Sequence, residues 1–245
     1  MKYLVTGGNG FIGSHIVDRL IDKNYEVIVI DNLSGLNDKF YFNNKAEYHN
    51  KNICDFDSVN TLCKNVDVIF HLAAESRIQP AIENPLLAAN TNTIGTINIL
   101  QAAVKNKVKR VIYSSTSSVY GLTEELPTNE NTPINCLNPY STSKYAGEEF
   151  CKMYSKLYNL DTCIFRYFNV YGERSPTKGL YSPVIGLFLK QNKEDNKLQI
   201  MGNGLKKRDF VHVYDVADIN IDDLLDLAHD YDGVSYKTIK ESNFS

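Results

Sequence analysis

The stretch KYLVTGGNGFIG, residues 2–13, decides the fold. Its first five residues are a β-rich apolar run. Gly7, Gly10 and Gly13 then recur at every third position, and Ile12, Ile16 and Leu20 follow at helical spacing. A strand that turns through glycines directly into a helix lets backbone approach a pyrophosphate. The helix start, from Phe11 and Ile12 onward, presents unpaired N–H groups and the positive end of the dipole to that anion. The run therefore reads as the opening βα turn of a dinucleotide-binding unit.

Working outward, apolar β-rich runs recur at YEVIVI (25–30), AEYHN (46–50), VDVIFHLA (66–73), VKRVIYSS (108–115) and DTCIFRYF (161–168). Helical patterns over 11–23, 86–105 and 139–157 fall between them, which predicts an α/β fold, a Rossmann-type doubly wound parallel sheet. The second strand ends in VIVIDN, so Asp31 stands where a carboxylate accepts hydrogen bonds from an adenosine ribose. Its charge would repel a 2′-phosphate, favouring NAD over NADP.

After Gly172 the texture changes. ERSPTKG reads as loop, YSPVIGLFLKQ as a short helix, KLQI and DFVHV as strand-like runs around a glycine-rich turn, and 215–228 as a last helix. The expected organisation is an NAD-binding Rossmann domain over 1–171, with 211–229 packing back onto it. Segments 172–210 and 230–245 would form a partial substrate-binding lobe, small and truncated.

Composition excludes several other classes. A net charge of −3 argues against a surface for nucleic acid, and the basic cluster KNKVKR (105–110) sits where cations complement a helix C-terminus. Five cysteines without a CxxC pair predict reduced thiols rather than a disulfide framework or a metal site. With no basic, apolar leader and no window of membrane-spanning length, a cytoplasmic location is expected.

Three tyrosines are followed by lysine at the fourth position: Tyr41/Lys45, Tyr140/Lys144 and Tyr236/Lys240. Context separates them. Tyr41 sits in an Asn-rich polar stretch and Tyr236 in a tail without a preceding strand. Tyr140 and Lys144 share one face at the start of a helix that follows the hydroxyl-rich strand end SSTSSVYG. Using a tyrosine as a base near pH 7 costs about 4 kcal/mol, and a neighbouring ammonium offsets much of that by favouring phenolate.

TGGNGFIG, DNLSG, HLAA, NTIGT, SSTSSVYG, YSTSK, RYFNVYG and RDFVHV follow one another in the order and spacing of the extended short-chain dehydrogenase/reductase family. Over roughly residues 1–220 the chain resembles its nucleotide-sugar epimerase and dehydratase branch. The resemblance implies a catalytic set of Thr116, Tyr140 and Lys144. It implies that Asn32, Asn52 and Ile53 flank the adenine, although the family usually has Asp where Asn52 stands. Leu72, Ala73 and Ala74, after His71, would line the diphosphate and ribose. His71 itself also reads as a satisfied histidine at a strand end. Asn92 would support the catalytic strand, Ser114 and Tyr167 would face the cofactor beside Phe168, and Asn169 and Arg208 would grip the substrate diphosphate.

By the same resemblance, Tyr140 deprotonates the sugar 4-hydroxyl while hydride passes to NAD, and a transient 4-keto sugar is reduced from the opposite face. Dehydratases carry an Asp-Glu pair after the catalytic Thr; here Ser117 and Ser118 stand there and supply neither role. The expected activity is epimerisation at C4 of a UDP-hexose. A decarboxylase, a dehydratase or a 4-keto reductase of the same fold, or a non-catalytic NAD-binding subunit, are the alternatives. Family members often pair through helices corresponding to 86–105 and 140–157, so a homodimer is also an expectation. Members usually continue well past RDFVHV through a further glycine-rich turn, which is why the lobe is expected to be truncated and its hold on the nucleotide sugar weak.

Overall fold

A computed structural model describes residues 1–35, 39–124, 126–176, 184–194, 197–198, 200, 202–205, 207–226 and 234–239. Strand β1 (Lys2–Thr6) leads through the glycine turn into α1 (Phe11–Asp22), followed by β2 (Glu26–Asp31), β3 (Glu47–Asn50), α2 (Phe56–Leu62) and β4 (Val68–His71). Two short helices, α3 (Ile78–Glu83) and α4 (Pro85–Ala89), come next. A π-helical turn over Asn90–Ile94 then passes directly into α5 (Gly95–Lys105). The helix expected over 86–105 is thus continuous but carries one wide turn, a feature that often marks a functional position.

Strand β5 (Arg110–Thr116) ends in a 3-10 turn (Ser117–Tyr120). It is followed by α6 (Pro139–Tyr158), β6 (Asp161–Tyr167), β7 (Asn169–Tyr171), α7 (Val184–Lys193), β8 (Phe210–His212), α8 (Val213–Asp226) and β9 (Val234–Ile239). Helix α6 starts where its sequence says it should. Asn138 accepts from the Ser141 backbone N–H at 2.9 Å, the Ser141 hydroxyl accepts from the Asn138 backbone N–H, and Pro139 occupies the first turn. It ends at Asn159, in the left-handed region at φ 53°.

The main sheet is parallel throughout, in the order β3-β2-β1-β4-β5-β6-β9. Because side chains alternate across a strand, the central strands β1, β2, β4, β5 and β6 feed two cores. Tyr3, Val5, Val27, Val29, Phe70 and Phe165 pack against α1 and α8. Leu4, Ile28, Ile30, Ile69, Val111 and Ile164 pack against α2, α5 and α6. This double winding puts every strand C-terminus along one edge, the edge that carries the site.

Two assignments differ from the sequence reading. Segment 230–245 was expected in the lobe, but its described part, Val234–Ile239, pairs in parallel with β6, Thr162 opposite Val234. The helix read over 215–228 precedes that strand as a crossover would, but the run after it reads as tail in the sequence. Lys197, Leu198 and Ile200 of the KLQI run are not in a strand, whereas β8 does form and pairs with β7 in a separate two-stranded sheet. The start of the YSPVIGLFLKQ helix, Lys240 of the third Tyr/Lys pair, and the end of the 215–228 helix lie outside the described residues.

Candidate active site

The glycine turn is built by steric exclusion. Gly7 has φ 72°, and a Cβ there would stand 2.8 Å from the Ala73 nitrogen; a Cβ on Gly13 would stand 2.3 Å from the Gly7 carbonyl oxygen. Backbone therefore packs on backbone, and β1, α1 and the Leu72–Ala74 segment after β4 close into one cradle. Gly10 caps α1 without any side-chain acceptor, so the amides of Phe11, Ile12 and Gly13 head a helix whose cap is open to an anion. That donor set fits the diphosphate of a dinucleotide.

Asp31 ends β2 beside this turn. Its carboxylate accepts the Leu33 N–H at 2.8 Å and the Asn9 N–H at 3.0 Å. Burial pushes its carboxyl above the usual carboxylate range, against those two hydrogen bonds. Asn9 is itself held by its amide to the Tyr41 carbonyl at 2.9 Å. Asn32 and Asn52 are exposed and close local turns, onto Ser34 and Cys54 respectively. Ile53 is buried beneath Gly95, where a Cβ would come within 2.5 Å of its Cδ1.

At the end of β4 a buried chain of hydroxyls and one imidazole joins three elements. The Thr6 Oγ1 accepts the N–H groups of Leu72 and Ala73 and pairs with His71 Nδ1 at 2.7 Å. His71 Nε2 pairs with Thr96 Oγ1 at 3.0 Å, and Thr96 donates to the Asn92 carbonyl at 2.7 Å. The pattern is satisfied by a neutral ring that donates from Nε2. Burial, with the charge of Lys144, lowers the His71 pKa to about 3. The plainer reading of His71, a satisfied histidine at a strand end, matches this environment.

Asn92 lies in the π-helical turn, 1% exposed. Its Oδ1 accepts the Glu75 N–H at 2.7 Å, and its amide donates to the Glu75 carbonyl and to Ser143 Oγ, each at 3.0 Å. The wide turn delivers this one side chain to the loop after β4 and to the helix bearing Tyr140. Thr116, at the end of β5, accepts the Ser118 N–H at 3.1 Å. Burial raises the Tyr140 pKa, and the Thr116 hydroxyl opposes that rise by favouring phenolate.

One turn further along α6, Lys144 is 3% exposed. Burial lowers its pKa to about 7, with Cys151 and Glu148 pulling the other way. Its ammonium lies against the face of Tyr113. Behind it Glu148 and Arg166 form a buried ion pair at 2.6 Å. Ser114 and Tyr167 are both buried and joined by a hydroxyl–hydroxyl bond of 3.1 Å, and Tyr167 is tied to Asn220 on α8. Asn169 and Arg208 are exposed and lie at the β7–β8 pair, Asn169 donating to the Asp209 carbonyl and Arg208 to that of Lys207.

Sequence reasoning missed Thr6, Thr96, Ser143, Glu148 and Asn220 as parts of this site. Only Glu148 carries a readable signal, since it continues the four-residue spacing of Tyr140 and Lys144. Among the described residues no cluster of three His, Cys, Asp or Glu could hold a metal ion, and no helix is long and apolar enough to cross a membrane.

The sequence pattern of the NAD-dependent epimerase/dehydratase family matches residues 3–228. A protein of Methanocaldococcus jannaschii, provisionally named a UDP-glucose 4-epimerase, is 46% identical over 220 residues, spanning 89% of this chain and 72% of that one. A UDP-N-acetyl-alpha-D-glucosaminuronate decarboxylase of Bacillus cytotoxicus is 34% identical over 235 residues, spanning 90% and 70%. Among solved structures, the Thermotoga maritima UDP-glucose 4-epimerase with UDP-glucose superposes with a TM-score of 0.90 at 34% identity, covering 98% of this chain and 77% of that one.

Proposed function

The chain belongs to the NAD-dependent epimerase/dehydratase family, and on that footing we propose that it epimerises a UDP-linked hexose at C4. The observation that carries the reading is the Thr116 hydroxyl at the end of β5 opposing the rise in the Tyr140 pKa, with Lys144 buried one turn away on the same helix face. NAD would be held through the Gly7–Gly13 cradle and Asp31, and when bound it would supply reversible hydride acceptance at C4 of the sugar.

The chain's own residues manage the proton. Tyr140 removes it from the 4-hydroxyl, as a general base positioned by α6, and gives it back when the carbinol re-forms. Thr116 donates to the phenolic oxygen and so stabilises the phenolate. Lys144, with a pKa brought near neutrality by burial, adds a positive charge that tracks the same proton. Ser117 and Ser118 form the 3-10 turn that orients Thr116 and offer no acid or base for elimination.

The test is to incubate the purified protein with UDP-galactose, UDP-glucose and dTDP-glucose and to resolve the products by chromatography. Interconversion of the first two sugars is the expected result. Accumulation of a 4-keto-6-deoxy sugar would overturn it. The similarity to the decarboxylase favours one second reading, because loss of CO₂ from a uronate also begins by oxidising C4. UDP-glucuronate in the same panel separates the two.

We also propose a homodimer through the helices over 86–105 and 140–157. Leu86, Leu87, Ile94, Met153 and Leu157 are exposed on them. Sedimentation as a monomer at micromolar concentration would refute that assembly.

A further inference from the structure

We propose that the buried Glu148–Arg166 pair is the positioning device of the acid/base site, clamping the strand end on both sides of Thr116 to the helix face that bears Tyr140. The proposal rests on the reading of Thr116, Tyr140 and Lys144 given above.

Three elements meet at the pair. Glu148 lies on α6, four residues after Lys144 and eight after Tyr140, and is fully buried. Ser115, immediately before Thr116, donates its hydroxyl to Glu148 Oε1 at 2.5 Å. Arg166 stands opposite Ser115 in the β5–β6 register and donates to Glu148 from Nε at 3.0 Å and from Nη2 at 2.6 Å. Its Nη1 donates to the Tyr120 hydroxyl at 3.1 Å, in the turn that leaves Thr116. The guanidinium fork thus grips helix and turn at once, and a point-like ammonium could not do both.

The geometry leaves Thr116 no free segment. The residue before it is tied to α6 through Ser115, and the turn after it is tied to Arg166 through Tyr120. Tyr140 approaches Thr116 from the same helix. The placement of the Thr116 hydroxyl against Tyr140 is therefore set by the register of β5 against α6, and Glu148 hydrogen-bonds from α6 to both β5 and β6. An ion pair without access to water is a costly stabiliser compared with apolar packing, which leaves specificity of placement as its advantage.

The test is a double-mutant cycle on turnover of UDP-galactose, with KM, NAD affinity and thermal stability measured for each protein. Ser115→Ala keeps the ion pair and cuts only its hold on the strand. Glu148→Gln leaves Arg166 without its counter-charge and threatens the fold, so it serves as the second variant. Each is made in the wild-type and the Thr116→Ala backgrounds.

In the wild-type background kcat should fall about ten- to a hundredfold, the scale of a misplaced reacting group, with KM and NAD affinity little changed. In the Thr116→Ala background the same change should cost less than about twofold, because the group it positions is gone. An equal factor in both backgrounds, or a Ser115→Ala enzyme at the wild-type rate, overturns the proposal and leaves the acid/base assignment standing. A Thr116→Ala enzyme at the wild-type rate, or a chain that turns over no UDP-hexose, ends the assignment itself and the proposal with it.

Discussion

The ammonium nitrogen of Lys144 lies 4.2 Å from the centroid of the Tyr113 ring, and the Tyr113 hydroxyl donates to the Lys144 carbonyl at 3.1 Å. One aromatic side chain therefore holds the lysine at both ends. It does not remove the cost of burying a cation: the pKa falls from 10.5 to about 7, burial being the main cause. Between those two values the unfolded chain binds a proton that the folded chain lacks, so stability rises with pH across that window. Below about pH 7 the penalty is fully present. Lys144→Met should accordingly stabilise the fold at pH 6, by an amount on the order of a few kcal/mol, and by progressively less toward pH 10. Urea unfolding at pH 6, 8 and 9.5 measures the difference, and a gain that grows with pH would contradict the burial argument.

Tyr140→Phe should lower turnover by at least about a hundredfold, as expected for a lost general acid/base, while leaving nucleotide-sugar binding intact. Tyr41→Phe is the control. Tyr41 also precedes a lysine by four, but its contribution to the cradle is its backbone carbonyl, which phenylalanine retains. Steady-state kinetics on both variants decides between them; comparable losses would mean that the Tyr/Lys spacing had been credited with too much.

Much of this site was legible in the sequence, and the reason lies in its periodicities. The glycines recur every three residues and turn straight into a helix, while Asn138-Pro139 marks the start of α6 and so places Tyr140 in its first turn. What could not be read depends on pleat and packing. Five hydroxyls in SSTSS look alike, yet strand alternation sends Ser115 to Glu148 and Ser114 to Tyr167. Thr6, His71 and Thr96 come together from β1, β4 and α5, and no local pattern couples positions so far apart. The resemblance gave Arg208 a grip on the substrate diphosphate, and its side chain is exposed and donates to the Lys207 carbonyl.

Asp31 gives a cofactor prediction with a geometric basis. Its carboxylate already accepts two backbone N–H groups, which fixes both oxygens at the mouth of the glycine turn. Asp31→Ala should weaken NAD binding by about tenfold or more, since hydrogen bonds to a charged group contribute about 1.5–3 kcal/mol each. It should also relax discrimination against NADP by removing the charge that opposes a 2′-phosphate. Fluorescence titration with both dinucleotides tests this. Equal affinity of the unaltered protein for the two would remove the ribose role from Asp31.

The close approach of α6 to β5 rests on a missing side chain. A Cβ on Gly147 would stand 2.2 Å from the Tyr113 hydroxyl oxygen and 2.6 Å from its Cζ. Both are rigid ring positions of a fully buried residue, so the helix rather than the tyrosine would have to move. Gly147→Ala should gain slightly in helix propensity, by up to about 1 kcal/mol, and lose more through overpacking, about 1–3 kcal/mol. The displacement would carry Tyr140, Lys144 and Glu148 away from the strand end together, so kcat should fall along with stability. Tyr113→Phe removes the nearest atom that the new methyl meets and forfeits the hydrogen bond to the Lys144 carbonyl. In the double variant the two losses should therefore be less than additive, with recovery incomplete because Cζ remains too close. Denaturation midpoints and kcat for the four proteins of this cycle measure the coupling. Strict additivity would mean that α6 and β5 are not held apart by this contact, and that some other element sets the distance across which Thr116 meets Tyr140.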